Sequence, residues 1–324
     1  MRRVVRLSTS AGTGEGRGHL ARALSLSEAR WPDDVSLEIT LERGEPSEAE
    51  RRRAQAAGAR IVEPRETLEQ DAVVVVDTPD PTAIAGRHDP GRLVVFDDSE
   101  RFTGEAALVV QPSMPTWSGA ANARRVLAGY RWAPIGSAWQ GVTHHALRTD
   151  EETRPQLVVC FGGSDPADVT GRLAPALDDD PRWIATIVVG PDYQAALEAG
   201  DHVVREPRDL PLRIAAADLV VIGAGTMKFE VAALGRPAIL LAVADDQLTV
   251  GPAFAATGAA RWLGDGRVID PSVVHDEVAR LLSDGSTRTA MAAAGRRAVD
   301  GRGADRVAAE AAALGRPRWT RGAG

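Results

Sequence analysis

The chain has a single cysteine in 324 residues, and that scarcity excludes an internal disulfide. A lone thiol fits a reducing compartment, so a cytoplasmic protein is expected. Cys160 sits in the apolar run Leu157-Val158-Val159-Cys160-Phe161, where a buried core thiol is the expected role rather than a nucleophile. Long apolar runs are also missing. No segment approaches the roughly eighteen uninterrupted apolar residues of a membrane span. Arg6 and the polar residues after Leu7 leave no apolar region for a signal peptide. Metal donors are sparse too. His144-His145 has no Cys or carboxylate at ligand spacing and reads as linker, and Asp245-Asp246 lacks a third ligand, so no metal is expected. Positive charge is in deficit: the net charge of −7 argues against a nucleic-acid partner.

What remains is an ordinary soluble composition, 44% hydrophobic and 26% charged, in a chain long enough for two α/β cores. Short β-branched runs alternate with Ala/Leu/Arg/Glu-rich helical segments throughout. Strands are expected at 4–7, 35–41, 59–62, 72–76, 93–96 and 108–110, with helices at 20–31 and 48–57. Several of these strands are apolar throughout, as in a parallel sheet covered on both faces. Prolines then interrupt the pattern from Gln111 to Arg154, with a linker expected near 146–155. The alternation restarts with strands at 157–161, 184–189, 202–205, 219–222 and 238–243. Helices are expected at 169–177, 193–199, 209–216, 226–234 and 248–257, with two or three more between 271 and 314. The expected architecture is two doubly wound domains facing a cleft, residues 1–150 and 151–324, with the last helix free to cross back. Ligands of such sheets bind beyond the carboxyl ends of the strands.

Four stretches carry chemistry. Gly12 to Arg22 joins the first strand to the first helix: Gly16 and Gly18 permit close approach of a ligand, and His19 and Arg22 share one helix face. Histidine exchanges protons near neutral pH. The spacing misses the dinucleotide fingerprint, because Arg17 or His19 falls where G-x-G-x-x-G needs its third glycine. A structural turn is the plainer alternative. Gly162, Gly163 and Ser164 follow the second half's first strand, as a phosphate cradle or an ordinary turn. Gly223, Ala224, Gly225 and Thr226 enter a helix bearing Glu230, a carboxylate able to accept both hydroxyls of a ribose. Asp246 and Gln247 end the next strand, where they would read sugar hydroxyls.

In this order the pieces resemble the GT-B superfamily. More closely they resemble the nucleotide-sugar hydrolases of pseudaminic-acid biosynthesis (UDP-2,4-diacetamido-2,4,6-trideoxy-β-L-altropyranose hydrolases) and related spore-coat-type predicted glycosyltransferases. The matching motifs are Gly16-Arg17-Gly18-His19-Leu20-Ala21-Arg22, Phe96-Asp97-Asp98, Phe161 to Pro166, Gly225 to Pro237, Asp246-Gln247 and the tail 300–307. The chain departs from the family beside its glutamate, at Met227-Lys228-Phe229, and at Asp246, where the family has Asn. The resemblance implies that His19 is the base that activates water and that the second domain holds UDP through Glu230. It implies no cofactor. The expected activity is hydrolysis of a UDP-sugar at the anomeric carbon. Transfer of the sugar to another hydroxyl is the alternative, and a silent nucleotide-sugar-binding protein or an NAD-linked oxidoreductase are the readings from other classes.

Overall fold

The computed structural model describes residues 2–11, 17–64, 68, 71–142, 147, 154–197 and 202–314. Gly16, His144-His145 and most of the expected linker fall outside them. Two parallel sheets organise the chain. The first takes β1 (Arg3–Ser10), β2 (Val35–Arg43), β3 (Arg60–Ile61), β4 (Val73–Asp77), β5 (Leu93–Phe96), β6 (Glu105–Gln111) and β7 (Asn122–Ala128) in the order 3-2-1-4-5-6-7. The second takes β8 (Gln156–Cys160), β9 (Ile184–Val189), β10 (Val203–Arg205), β11 (Leu219–Gly223), β12 (Ala238–Ala242) and β13 (Ala260–Asp265) in the order 10-9-8-11-12-13. In each sheet the order reverses beside the first strand, and that reversal opens a crevice at the carboxyl ends.

Side-chain alternation along the strands builds the layers. On one face of the first sheet, Val5, Leu7, Ile39 and Val75 meet α1 (Gly18–Ser27) and α2 (Glu48–Ala56). On the other, Val74, Val76 and Val95 pack with Phe102 and with Ile84 of α3 (Pro81–Ala85). The short α4 (Ser137–Gln140) follows β7, and in the second sheet Leu157, Val159 and Val221 face α5 (Val169–Asp178) and α9 (Pro271–Ser283). Val158, Val220 and Leu240 face α6 (Leu210–Ala216), α7 (Met227–Ala233) and α8 (Gln247–Ala255). Cys160 is buried in that layer, as its apolar run indicates.

After α9, α10 (Gly285–Ala298) and α11 (Gly303–Leu314) close the described chain. α11 packs with Val307 and Ala311 buried in the first sheet's core. It crosses so near the backbone that a Cβ on Gly303 would lie 2.0 Å from the Ala133 carbonyl oxygen. Tyr130 joins the halves elsewhere, donating to the Ala253 carbonyl at 2.9 Å and meeting Phe254 edge-on.

Two strands were not foreseen and one expected helix is absent. The edge strands β7 and β13 did not stand out, because Asn-Ala-Arg-Arg-Val-Leu-Ala and Ala-Arg-Trp-Leu-Gly-Asp carry the polar residues that shield a sheet edge. The helix expected at 193–199 is absent over its described part, 193–197. Tyr193 is instead buried, with its hydroxyl donating to Asp168 at 2.5 Å.

Candidate functional site

The end of an all-valine strand makes the centre of the first half-site. Val73–Asp77 delivers Asp77 to the crevice between β1 and β4, opposite the start of α1. His19 and Arg22, one turn apart on α1, both reach it. His19 Nδ1 lies 2.7 Å from Asp77 Oδ1, and Arg22 donates to both Asp77 oxygens at 2.6 and 2.5 Å. A further Arg22 nitrogen donates to Asp98 at 2.5 Å, and its guanidinium lies 4.7 Å from the Phe96 ring centroid.

Burial pushes the Asp77 carboxyl up, but Arg22 and His19 outweigh it and hold it down to about 2. Asp77 is therefore an acceptor only, so the bond places the imidazole proton on Nδ1 and leaves the Nε2 lone pair as a base. Arg22 is buried, and desolvation is overcome by Asp77 and Asp98, which raise its pKa and keep it charged.

The second half-site faces the first directly. A Cβ on Gly18 would lie 3.8 Å from Thr226 Cγ2. Arg17 spans the cleft: its Nε donates to Asp192 and its Nη1 to Glu50, both at 2.6 Å, while its stem covers Gly163 at 3.6 Å from an added Cβ. Thr226 precedes α7 without capping it, so its hydroxyl is uncommitted to the helix. Gln247 closes the loop's far side. Its Oε1 accepts from the Val243 N–H at 3.1 Å, while its Nε2 would meet a Cβ on Gly225 at 3.5 Å. Glu230 is half-buried, and its carboxylate makes no hydrogen bond among the described residues. Burial pushes it up to about 7, with Arg53 opposing weakly.

The structure thus brings Gly18, His19 and Arg22 to one wall, and Gly163, Gly223, Gly225, Thr226, Glu230 and Gln247 to the other, whereas the expected site residue Ala224 is fully buried in the second sheet's core and its N–H donates to the Leu241 carbonyl at 2.9 Å. Gly162 takes a positive φ of 93°, and Asp165, just after this stretch, spends its carboxylate on the Val169 and Thr170 N–H groups, at 3.1 and 2.7 Å. Asp246 is exposed at the start of α8 without capping it, and its neighbour Asp245 pairs with Arg267 at 2.6 Å. Among the described residues no three His, Cys, Asp or Glu side chains gather as a metal site.

Asp77, Arg17, Asp192 and Lys228 are residues near the cleft to which sequence reasoning gave no role. Asp77 had a usable signal, a carboxylate ending an otherwise apolar strand. On the opposite face of the first sheet lies a cavity of about 140 Å³ lined by Ser10, Glu42, Thr78, Asp80 and Arg87 among others. The buried Ser10 and Thr78 hydroxyls there have no hydrogen-bond partner among the described residues.

No protein-family profile matches the chain. It is 24% identical over 164 residues to the spore coat polysaccharide biosynthesis protein SpsG of Bacillus subtilis (strain 168), covering 47% of this chain and 48% of that protein. It is 33% identical over 234 residues to a UDP-N-acetylglucosamine--N-acetylmuramyl-(pentapeptide) pyrophosphoryl-undecaprenol N-acetylglucosamine transferase of Rhodopseudomonas palustris (strain BisB18), covering 66% of this chain and 62% of that one. The chain thus spans about half to three fifths of the length of these curated relatives.

Solved structures match almost throughout. Acinetobacter baumannii MurG superposes with a TM-score of 0.61 at 16% identity, over 96% of this chain and 99% of that one. The spinosyn rhamnosyltransferase SpnG complexed with thymidine diphosphate does so with a TM-score of 0.63 at 16% identity, over 95% and 99%. The chain has the GT-B fold. None of these relatives is named a hydrolase, so the transfer reading, held above as the alternative, stands better supported than hydrolysis.

Proposed function

We propose that the chain is a glycosyltransferase that moves a sugar from a nucleoside-diphosphate donor to a hydroxyl acceptor. The observation that carries this reading is the hydrogen-bonded His19–Asp77–Arg22 cluster, set directly across a cleft from the Gly223–Glu230 loop. The region 1–150 supplies the base and the acceptor site, and 151–324 holds the donor.

In this reading Glu230 accepts the ribose hydroxyls, Gln247 and Asp246 read the sugar, and the backbone N–H groups of the glycine loop hold the diphosphate. His19 Nε2 takes the proton of the acceptor hydroxyl, whose oxygen attacks the anomeric carbon. The bond from that carbon to the diphosphate oxygen breaks, and the electron pair leaves with the nucleotide. Asp77 holds the imidazole in the required tautomer and balances the imidazolium that forms. Arg22, charged and buried beside it, ties Asp77 to Asp98 and so fixes the carboxylate that orients His19. No metal enters this scheme.

The test is a donor panel (UDP-, dTDP- and GDP-sugars) incubated with and without mixed small polyol and amino-sugar acceptors, reading released nucleoside diphosphate. Release that depends on acceptor supports transfer, release indifferent to acceptor restores hydrolysis, and no release from any donor removes both.

A further inference from the structure

Lys228 is the only lysine in the chain; with 38 lysines and arginines in all, the other 37 cationic side chains are arginine. It stands at a position where the sequence departs from the family it resembles, and the fold buries it to 2% exposure. Its ammonium donates to the Ala224 carbonyl at 2.9 Å and the Gly225 carbonyl at 3.0 Å, and lies 4.2 Å from the Phe229 ring centroid. A compact ammonium can serve two converging carbonyls in so small a space, where a planar guanidinium cannot. Both carbonyls belong to the loop that the proposed function assigns to the donor.

Resting on that reading, we propose that Lys228 is a positioning residue for the donor's diphosphate. By binding the Ala224 and Gly225 carbonyls from beneath, it turns them inward. The N–H groups of the following residues, Gly225 and Thr226, then point the other way, toward the cleft, with a positive charge set behind them, while the Ala224 N–H stays bonded to the Leu241 carbonyl at 2.9 Å. The charged groups that reach it come from both walls: Asp98 and Asp246 attract it and Arg22 repels it. The elements packed behind α7 present Ile222, Leu240 and Ala294, all apolar. Burial, opposed by Asp98, pushes its pKa down to about 8, with Arg22 adding to the fall and Asp246 opposing it.

A chain with one lysine lets this be read directly. Protein grown on ¹³Cε-lysine gives a single side-chain resonance, which is titrated with pH without ligand and with saturating UDP or dTDP. An anion seated over the loop favours the ammonium form, so the midpoint should rise from about 8 by roughly one pH unit or more. In parallel, K228M should weaken UDP binding by about tenfold or more with cooperative melting retained, and K228R should recover only part of it. UDP that binds by calorimetry while the lysine midpoint stays fixed overturns the proposal, as does wild-type affinity in K228M. If K228M fails to fold, the wild-type titration decides alone. If neither nucleotide binds the wild type, the proposed function falls along with this inference, whereas binding without a shift removes only the inference.

Discussion

Glu230 offers a quantitative handle on donor binding, because its carboxylate is half-buried without a partner and held at about 7. Accepting two ribose hydroxyls requires the ionised form, so affinity should climb as pH rises through that value. At pH 6 a group of pKa about 7 is ionised in roughly one molecule in eleven. At pH 8 it is ionised in roughly ten of eleven, so the apparent Kd at pH 6 should be about tenfold weaker, about 1.4 kcal/mol. A UDP-sugar is the right ligand, since its doubly esterified diphosphate does not titrate in this window. Calorimetry should show proton release at the lower pH. E230Q should bind about ten- to a hundredfold more weakly than wild type at pH 8, for the loss of a charged acceptor worth roughly 1.5–3 kcal/mol, and should lose the acid-side dependence. The sign for the free protein is opposite. A carboxyl whose pKa is raised from 4.5 to about 7 in the fold stabilises below its unfolded pKa, and that contribution is lost as pH rises through about 7. Unliganded E230Q should therefore melt higher than wild type at pH 8. Unchanged affinity in E230Q, together with a flat pH profile in the wild type, would refute the ribose role.

His19→Asn should lower turnover by roughly two to four orders of magnitude with nucleotide affinity unchanged, measured by nucleotide release and calorimetry. Asp77 is held below its usual 3.8, at about 2, so its stabilisation is present above the unfolded value and is lost as pH falls through about 2. Acid unfolding should accordingly show a component of about 2 kcal/mol between pH 4 and 2 that D77N lacks. D77N should also be less stable by about 3–5 kcal/mol at neutral pH, because it leaves Arg22 without its main counter-charge; a chemical denaturation curve checks this. If 146–155 joins two domains that move apart, limited proteolysis should cut there first and a saturating UDP-sugar should slow the cut; cleavage confined to the termini would contradict this.

The strand and helix order was legible where side chains had to be buried. Val73–Asp77, Leu93–Phe96 and Leu219–Gly223 are covered on both faces, and their apolar runs announce it. The edge strands β7 and β13 were obscure for the converse reason, since one long side faces solvent and polar residues there prevent sheet-to-sheet pairing. Tyr193 looked helical by local pattern, but burial and the bond to Asp168 set its conformation.

At the site, glycine loops and His19 could be read because they lie within one stretch. Asp77 is 58 residues from its partner His19, and Asp192 is 175 from Arg17. Such pairs exist only once the sheet order puts β4 beside β1 and the two domains face each other. Lys228 was visible only as a departure from the resembled motif; its burial beneath the loop carbonyls gives it a role.

The most direct test of the central claim combines the base and the bond it serves. Wild type and His19→Asn are given a donor they turn over, in ¹⁸O-water with and without acceptor, and both products are weighed by mass spectrometry. Attack at the anomeric carbon with His19 as base predicts nucleotide release that collapses in the variant, ¹⁸O absent from the nucleoside diphosphate, and any label confined to free sugar. Equal release from both proteins, or ¹⁸O in the nucleoside diphosphate, would contradict it.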